Sequence, residues 1–222
     1  MAEISIKTFT RGHPDPDDAV ADDRAPRDTT ADDDWRHVAA VRRDPYAFAP
    51  LYDRYFGLVY AYALQRLRDA DRAADASSIV FARALAAIRS DGAAPNRPGS
   101  SFRSWLMTIA RNVVIDQYRR QPPPTSSLSD HALAALIPDG ARTPEEHSLL
   151  AEERGRIERA LAELPDAQRQ IVELRAVGMK SREIAEILGM SVGAVKTANF
   201  RAYATLRVLL RDEREERDHG RV

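Results

Sequence analysis

Three consecutive prolines, Pro122-Pro123-Pro124, separate two stretches of this chain that each carry helical periodicity. A proline lacks the amide proton a helix needs and biases its predecessor toward extended backbone, so no helix runs through Gln121 to Ser127. The chain therefore reads as two small domains, residues 35–120 and 143–211, joined by a flexible linker over 121–142. Each is of a size that is marginal for independent stability.

In the first domain Phe48, Leu51, Tyr52, Tyr55, Val59 and Tyr62 recur at steps of three and four, one stripe on a 3.6-residue period. Asp44 before Pro45 reads as a cap and first turn, and Pro50 as a restart or kink. A second helix is predicted from about Asp71 to Arg89, with Ala73, Val80, Phe81, Ala84, Leu85 and Ile88 on one face. Ala93 to Ser100 holds too many breakers to be helical and is a loop. A third helix from Ser101 turns Phe102, Trp105, Leu106, Ile109 and Val113 inward and ends in Tyr118-Arg119-Arg120.

The second domain opens at Thr143-Pro144-Glu145-Glu146, a capping box with proline at the first helical position. Leu149, Leu150, Ile157, Leu161 and Leu164 make its first stripe. Beyond Pro165 the pattern is helix, turn, short helix, turn, helix. Gly178 ends one helix, Ser181 caps Arg182 to Leu188, Gly189 stops that one in a left-handed conformation, and Ser191 caps the next. This order is that of a helix-turn-helix, in which small Ala185 permits close crossing and Val195 locks the last helix. Its outer face is expected to offer Lys196, Thr197, Asn199 and Arg201 to a major groove, with Arg182 and Ser191 beside them. A helical hairpin with a solvated polar face is the other reading of this segment.

No alternating apolar run long enough for a strand occurs, so the fold class is all-α. No run reaches the roughly 18 apolar residues of a membrane span, and Met1 to Thr10 lacks a signal-peptide profile, which places the protein in the cytoplasm. The absence of cysteine excludes disulfides, thiolate zinc and a cysteine nucleophile. The net charge of −1 hides an asymmetry: residues 1–34 carry ten acidic and four basic groups, leaving +5 on the remainder. That acidic leader lacks apolar periodicity and reads as disordered, either a solubilising tail or an arm that shields basic surfaces. Residues 212–222 read as a charged tail.

The third helix of the first domain is unusual. Arg103, Arg111, Asn112, Gln117, Arg119 and Arg120 flank its apolar stripe, and the loop before it adds Asn96, Arg97 and Ser100. Cations beside aromatics suit a groove that tracks phosphates while rings receive unstacked bases. Phe102 and Trp105 serve there either as base-stacking platforms or as core. The loop is expected to take a flipped base, with Asn96 and Ser100 bonding its edge and Arg97 its phosphate.

Taken together, the two domains resemble the extracytoplasmic-function (ECF) sigma factors. Phe48-x-x-Leu51-Tyr52-x-x-Tyr55, Asp75 through Phe81, Phe102-x-x-Trp105-Leu106-x-x-Ile109-Ala110-Arg111-Asn112-x-x-x-Asp116-x-x-Arg119-Arg120, Leu164-Pro165, Glu183-Ile184-Ala185 and Gly193-x-Val195-Lys196 follow the family's order and spacing. The resemblance implies that the first domain is region 2, which grips the clamp helices of core RNA polymerase and opens the −10 element. The second is then region 4, which reads the −35 duplex. It further implies core contact through Asp75, Ser78, Ile79, Ala82 and Arg83, and an anti-sigma partner. Ser78-Ile79 stands where the family usually has Gln-Glu, so apolar burial is expected to replace a polar contact. Ala198 and Tyr203 stand where arginines are common, so fewer phosphate contacts are expected.

The competing class is a helix-turn-helix regulator whose first lobe senses a signal or dimerises. Arg111-Asn112 through Arg119-Arg120 argue against it, because a sensor lobe has no use for that arrangement. An enzyme is the third class. Carboxylates cluster only in the leader and the charged tails, and neither a phosphate-cradling loop nor a nucleophile–base pair occurs. No catalysis, cofactor, metal or small-molecule substrate is expected.

Overall fold

A computed structural model describes residues 29–90, 100–120 and 144–219. All the regular elements among them are helical. In chain order they are α1 (Thr29–Val41), a 3-10 turn (Pro45–Phe48), α2 (Ala49–Leu67), α3 (Ala70–Arg89), α4 (Phe102–Arg120), α5 (Pro144–Ala162), α6 (Asp166–Ala176), α7 (Ser181–Leu188) and α8 (Val192–His219). The linker over 121–142, Thr143, the loop residues Asn96 and Arg97, and leader residues 1–28 lie outside the described residues. Two compact units result, one holding α1 through α4 together with Arg182–Met190, the other holding α5, α6 and α8.

Local chemistry sets the ends of the helices in the first unit. Asp44 accepts from the Tyr46 amide at 2.9 Å and starts the 3-10 turn. Pro50 then falls in the first turn of α2, where its missing amide proton has no partner to lose. It thus marks the restart of the chain as a new helix after the 3-10 turn, one of the two readings the sequence left open. α2 stops at Arg68, which takes a left-handed φ of 55° while its amide bonds the Leu64 carbonyl at 2.9 Å. Asp69 caps α3 through the Arg72 amide at 2.9 Å.

α2, α3 and α4 pack pairwise, and α1 lies against the 3-10 turn and all three helices. The core has two aromatic centres. Phe81 meets Tyr52 at 4.7 Å, Phe48 at 6.2 Å and Phe56 at 6.3 Å. Phe102 meets Tyr55 and Trp105 at 5.5 Å each, and Trp35 edge-on at 6.1 Å. Leu51, Val59, Tyr62, Leu64, Leu67, Val80, Ile88 and Leu106 are buried around them.

The first helix corrects an expectation. It begins at Thr29, so residues 29–34, assigned from the sequence to the acidic leader, are helical. The cause is a polar anchor that an apolar pattern does not reveal. Asp34 is 1% exposed and accepts hydrogen bonds from the Tyr55 hydroxyl and Arg54, while Asp33 accepts from Arg54 at 3.0 Å. The Arg54 hydrogen bond holds the Asp33 carboxyl below its ordinary 3.8. Burial, and then the Asp34 hydrogen bond, push the Tyr55 phenol up.

In the second unit α8 packs on α5 and α6. Ala160, Leu164, Val172, Ala202 and Leu206 form the buried centre, with Leu161, Leu209 and Leu210 against it. α6 ends as the sequence predicts: Gly178 has φ 81°, and the Met179 amide reaches back to the Leu174 carbonyl at 3.1 Å. α8 continues to His219, so most of the stretch read as a charged tail is helix.

Candidate nucleic-acid interface

α4 carries the larger group of predicted residues. Ser101 starts it, receiving the Ser104 amide on its hydroxyl at 3.1 Å and the Trp105 amide on its carbonyl at 3.1 Å. The buried side of α4 is Phe102, Leu106, Met107, Ala110, Val113 and Val114. That stripe is rotated from the one read in the sequence: Trp105 and Ile109 are only partly buried, while Met107 and Ala110 take interior places. The reason is that α4 packs against both α2 and α3, which makes its apolar contact broader than a single-neighbour stripe.

Outside this stripe Asn112, Arg119 and Arg120 are exposed, and Arg111 and Gln117 are half-buried. The far end of the helix is tied down twice. Arg72 donates to the Gln117 carbonyl at 3.2 Å, and the Arg66 guanidinium lies 4.7 Å from the centre of the Tyr118 ring. Arg103 is half-buried and ion-pairs with Glu183, its Nη1 donating to both carboxylate oxygens at 2.8 and 2.9 Å. Ser100 leads into the helix partly buried, and its carbonyl accepts from the Trp35 indole at 3.2 Å.

Phe102 requires a correction. The sequence leaves it free to stack on a base, but it is fully buried between Trp35, Tyr55 and Trp105. Its place directly after the Ser101 cap puts it on the side of α4 that faces α2. Of the two candidate platforms only Trp105 keeps an accessible surface.

α3 brings together a second group. Asp75, Ser78, Ile79, Ala82 and Arg83 are all exposed, at spacings that share one face of a helix. The opposite face, Ala73, Ala76, Ser77, Val80, Phe81, Ala84 and Ile88, is buried. The Ser78 hydroxyl donates to the Ala74 carbonyl at 3.0 Å. Ile79 is 38% exposed, an apolar side chain standing in water among polar neighbours.

Along the last two helices, α7 is followed by Gly189 at φ 66° and by the Met190 amide bonded to the Ala185 carbonyl at 2.9 Å. A side chain at Gly189 would be strained by the left-handed backbone, although open space surrounds it. Ser191 caps α8 through the Ala194 amide at 3.1 Å. The Ser181 hydroxyl, by contrast, is buried and accepts from Arg175. Arg182, Thr197 and Arg201 are exposed, and Lys196 is half-buried.

Asn199 also departs from its expected place. Expected to read a base edge, it is only 8% exposed, on the stripe Val195, Asn199, Ala202 and Leu206 that α8 turns to its own core. Positions 195, 199, 202 and 206 are spaced by four, three and four, so burying Val195 and Ala202 carries Asn199 inward whatever its polarity. Its Oδ1 has no hydrogen-bond partner. The next residue, Phe200, is 77% exposed. Sequence reading passed over Phe200, although an aromatic placed between the inward Asn199 and Ala202 registers is the signal that finds it.

Among the described residues, no helix is long and apolar enough to cross a membrane, and no cluster of His, Asp or Glu side chains could hold a metal ion. Comparison with known proteins matches residues 51–122 to the sigma-70 region 2 family and residues 154–206 to sigma-70 region 4. The ECF RNA polymerase sigma factor SigW of Bacillus subtilis is 32% identical, over 80% of this chain and 96% of its own. The ECF RNA polymerase sigma factor BldN of Streptomyces coelicolor is 33% identical over 75% of this chain, which spans 61% of that relative's length. A solved structure of CnrH in complex with the cytosolic domain of CnrY shares 28% identity and a TM-score of 0.58, covering 79% of this chain and 96% of CnrH.

Proposed function

Because this chain belongs to the ECF group of the sigma-70 family, we propose that it directs core RNA polymerase to particular promoters and helps open their −10 region. The observation that carries the reading is α4, which buries one side on α2 and α3 while holding Arg111, Asn112, Gln117, Arg119 and Arg120 on its outer surface. Such a surface tracks the phosphates of a separated strand, and Trp105 is the ring available to an unstacked base. Residues 35–120 act as region 2 and residues 143–211 as region 4. The loop residues Asn96 and Arg97, with Ser100, complete the −10 contact.

Core polymerase is engaged by Asp75, Ser78, Ile79, Ala82 and Arg83. Burying Ile79 there contributes about 1 to 2 kcal/mol. On α8 the duplex-facing surface consists of Thr197, Phe200 and Arg201 with Lys196 beside them, and Arg182 and Ser191 nearby in sequence. Arg201 and Lys196 hold phosphate, while the Thr197 methyl and the Phe200 ring suit thymine methyl groups in the major groove. Two modest contacts joined by a linker reinforce each other only when polymerase fixes their separation. The bond-making chemistry belongs to the polymerase, so this chain needs no catalytic group, cofactor or small-molecule substrate of its own. It works in the cytoplasm and is restrained by a protein partner, an anti-sigma factor; the similar CnrH is likewise found bound to another protein, the cytosolic domain of CnrY.

The test separates this reading from a free-standing helix-turn-helix regulator. Promoter-fragment retention is measured with the chain alone, core alone and the two together. Sequence-specific retention only with both is the expected result; tight specific retention by the chain alone would establish the regulator instead.

A further inference from the structure

We propose that Trp35 is a positioning residue for promoter opening, holding through the Ser100 carbonyl the direction in which the chain enters α4. The inference rests on the promoter-opening reading of α4. Trp35 lies on α1, at the far end of the first unit's sequence, yet its indole N–H donates to the Ser100 carbonyl at 3.2 Å across 65 positions. Its ring also meets Phe102 edge-on, at 6.1 Å and 90°. One side chain thus grips the residue before the Ser101 cap and the first residue of the helix.

The neighbouring residue fixes where Trp35 sits. Asp34 is buried and accepts from the Tyr55 hydroxyl, and the Tyr55 ring itself packs on Phe102 at 5.5 Å. Consecutive residues of α1 therefore reach one aromatic centre, Asp34 through Tyr55 and Trp35 directly. α1 cannot slide by a residue without losing both contacts.

The Ser100 carbonyl stands just outside the helix, where α4 itself offers it no donor. Bonded to water, that peptide could rotate. Bonded to a partly buried indole that is packed on Phe102, it is held in one orientation, and with it the Ser100 side chain and the Ser101 hydroxyl that caps α4. A surface meant to catch an unstacked base loses its advantage when its edge wanders, because the ordering must then be supplied during opening.

The experiment uses holoenzyme assembled from core and the full chain, on a promoter mapped from the 5′ ends of transcripts that wild-type holoenzyme makes on genomic DNA. Trp35→Phe keeps a ring against Phe102 and removes the N–H. Transcription is compared on the duplex promoter and on the same promoter pre-melted at the −10 region. The expected result is a loss of about threefold to tenfold on duplex, the scale of one hydrogen bond, with the pre-melted template and core affinity unchanged. The ratio between templates does not depend on how much variant is folded, so a folding loss cannot imitate the effect. Equal activity on both templates, or an equal loss on both, overturns the inference. If wild-type holoenzyme makes no specific transcript on either template, the reading of α4 falls and takes the inference with it.

Discussion

In the first unit ring packs against ring and the buried polar groups among the described residues are answered, whereas in the second a small aliphatic centre takes in an amide whose oxygen is not. Asp34 has the Tyr55 hydroxyl and Arg54, and Ser77 donates to the Ala73 carbonyl at 2.7 Å. The Oδ1 of Asn199 has no partner. The cost of leaving a buried acceptor unmet is about 1 to 3 kcal/mol, a large fraction of what a domain this small retains.

Both tryptophans of the chain, Trp35 and Trp105, lie in the first unit, so their fluorescence follows that unit alone while circular dichroism follows both. The largest effect is expected from Asp34→Ala. It leaves the Tyr55 hydroxyl buried without an acceptor and frees α1, lowering the fluorescence-detected stability by about 2 to 3 kcal/mol in urea. A change within 0.5 kcal/mol, about the size of an ordinary surface substitution, would show that α1 is not anchored there.

The same centre makes the first unit sensitive to alkali. Tyr55 ionises at its ordinary 10.0 in the unfolded chain and higher in the folded one. Its stabilisation is therefore complete below that pH and declines as the pH rises above it. Fluorescence-detected stability should fall beyond pH 10.0 in the wild type and fall less in Tyr55→Phe.

Asn199→Leu sharpens the contrast from the other side. Replacing a buried amide whose oxygen is unanswered by an aliphatic chain of similar size is expected to stabilise the second unit by about 1 to 2 kcal/mol, seen by circular dichroism and not by fluorescence. Destabilisation would mean that Asn199 has a role in the core that its unmet oxygen conceals. The smallest effect belongs to Arg68→Gly. Relieving a left-handed non-glycine residue should raise first-unit stability by about 0.5 to 1 kcal/mol.

Much of this was legible in the sequence, and the failures share a cause. The all-helical class, the starts near Asp44 and Asp71, and the stops at Gly178 and Gly189 follow from apolar period and cap chemistry, both of them local; that Asp69 is the residue capping the second start was not read. What else escaped depends on partners far along the chain. Asp34 reads as one more acid in an acidic leader until Arg54 and Tyr55 are brought to it, 20 and 21 residues away. Asn199 reads as exposed because it is polar, yet Val195 and Ala202 fix its direction. Phe102 could have been core or platform, and only the convergence of Trp35, Tyr55 and Trp105 decides for core. Polarity is a fair guide to exposure on average and a poor one at a single position of a helix whose neighbours are committed.

The central claim is that this chain gives core polymerase a promoter preference and lacks that ability alone. Run-off transcription with purified core, on templates carrying the mapped promoter and a scrambled control, tests it most directly. Adding the chain should give a transcript of defined start from the promoter template and little from the control, and Ile79→Asp should abolish that transcript despite normal folding. Promoter-independent transcription that is unchanged by adding the chain would contradict it.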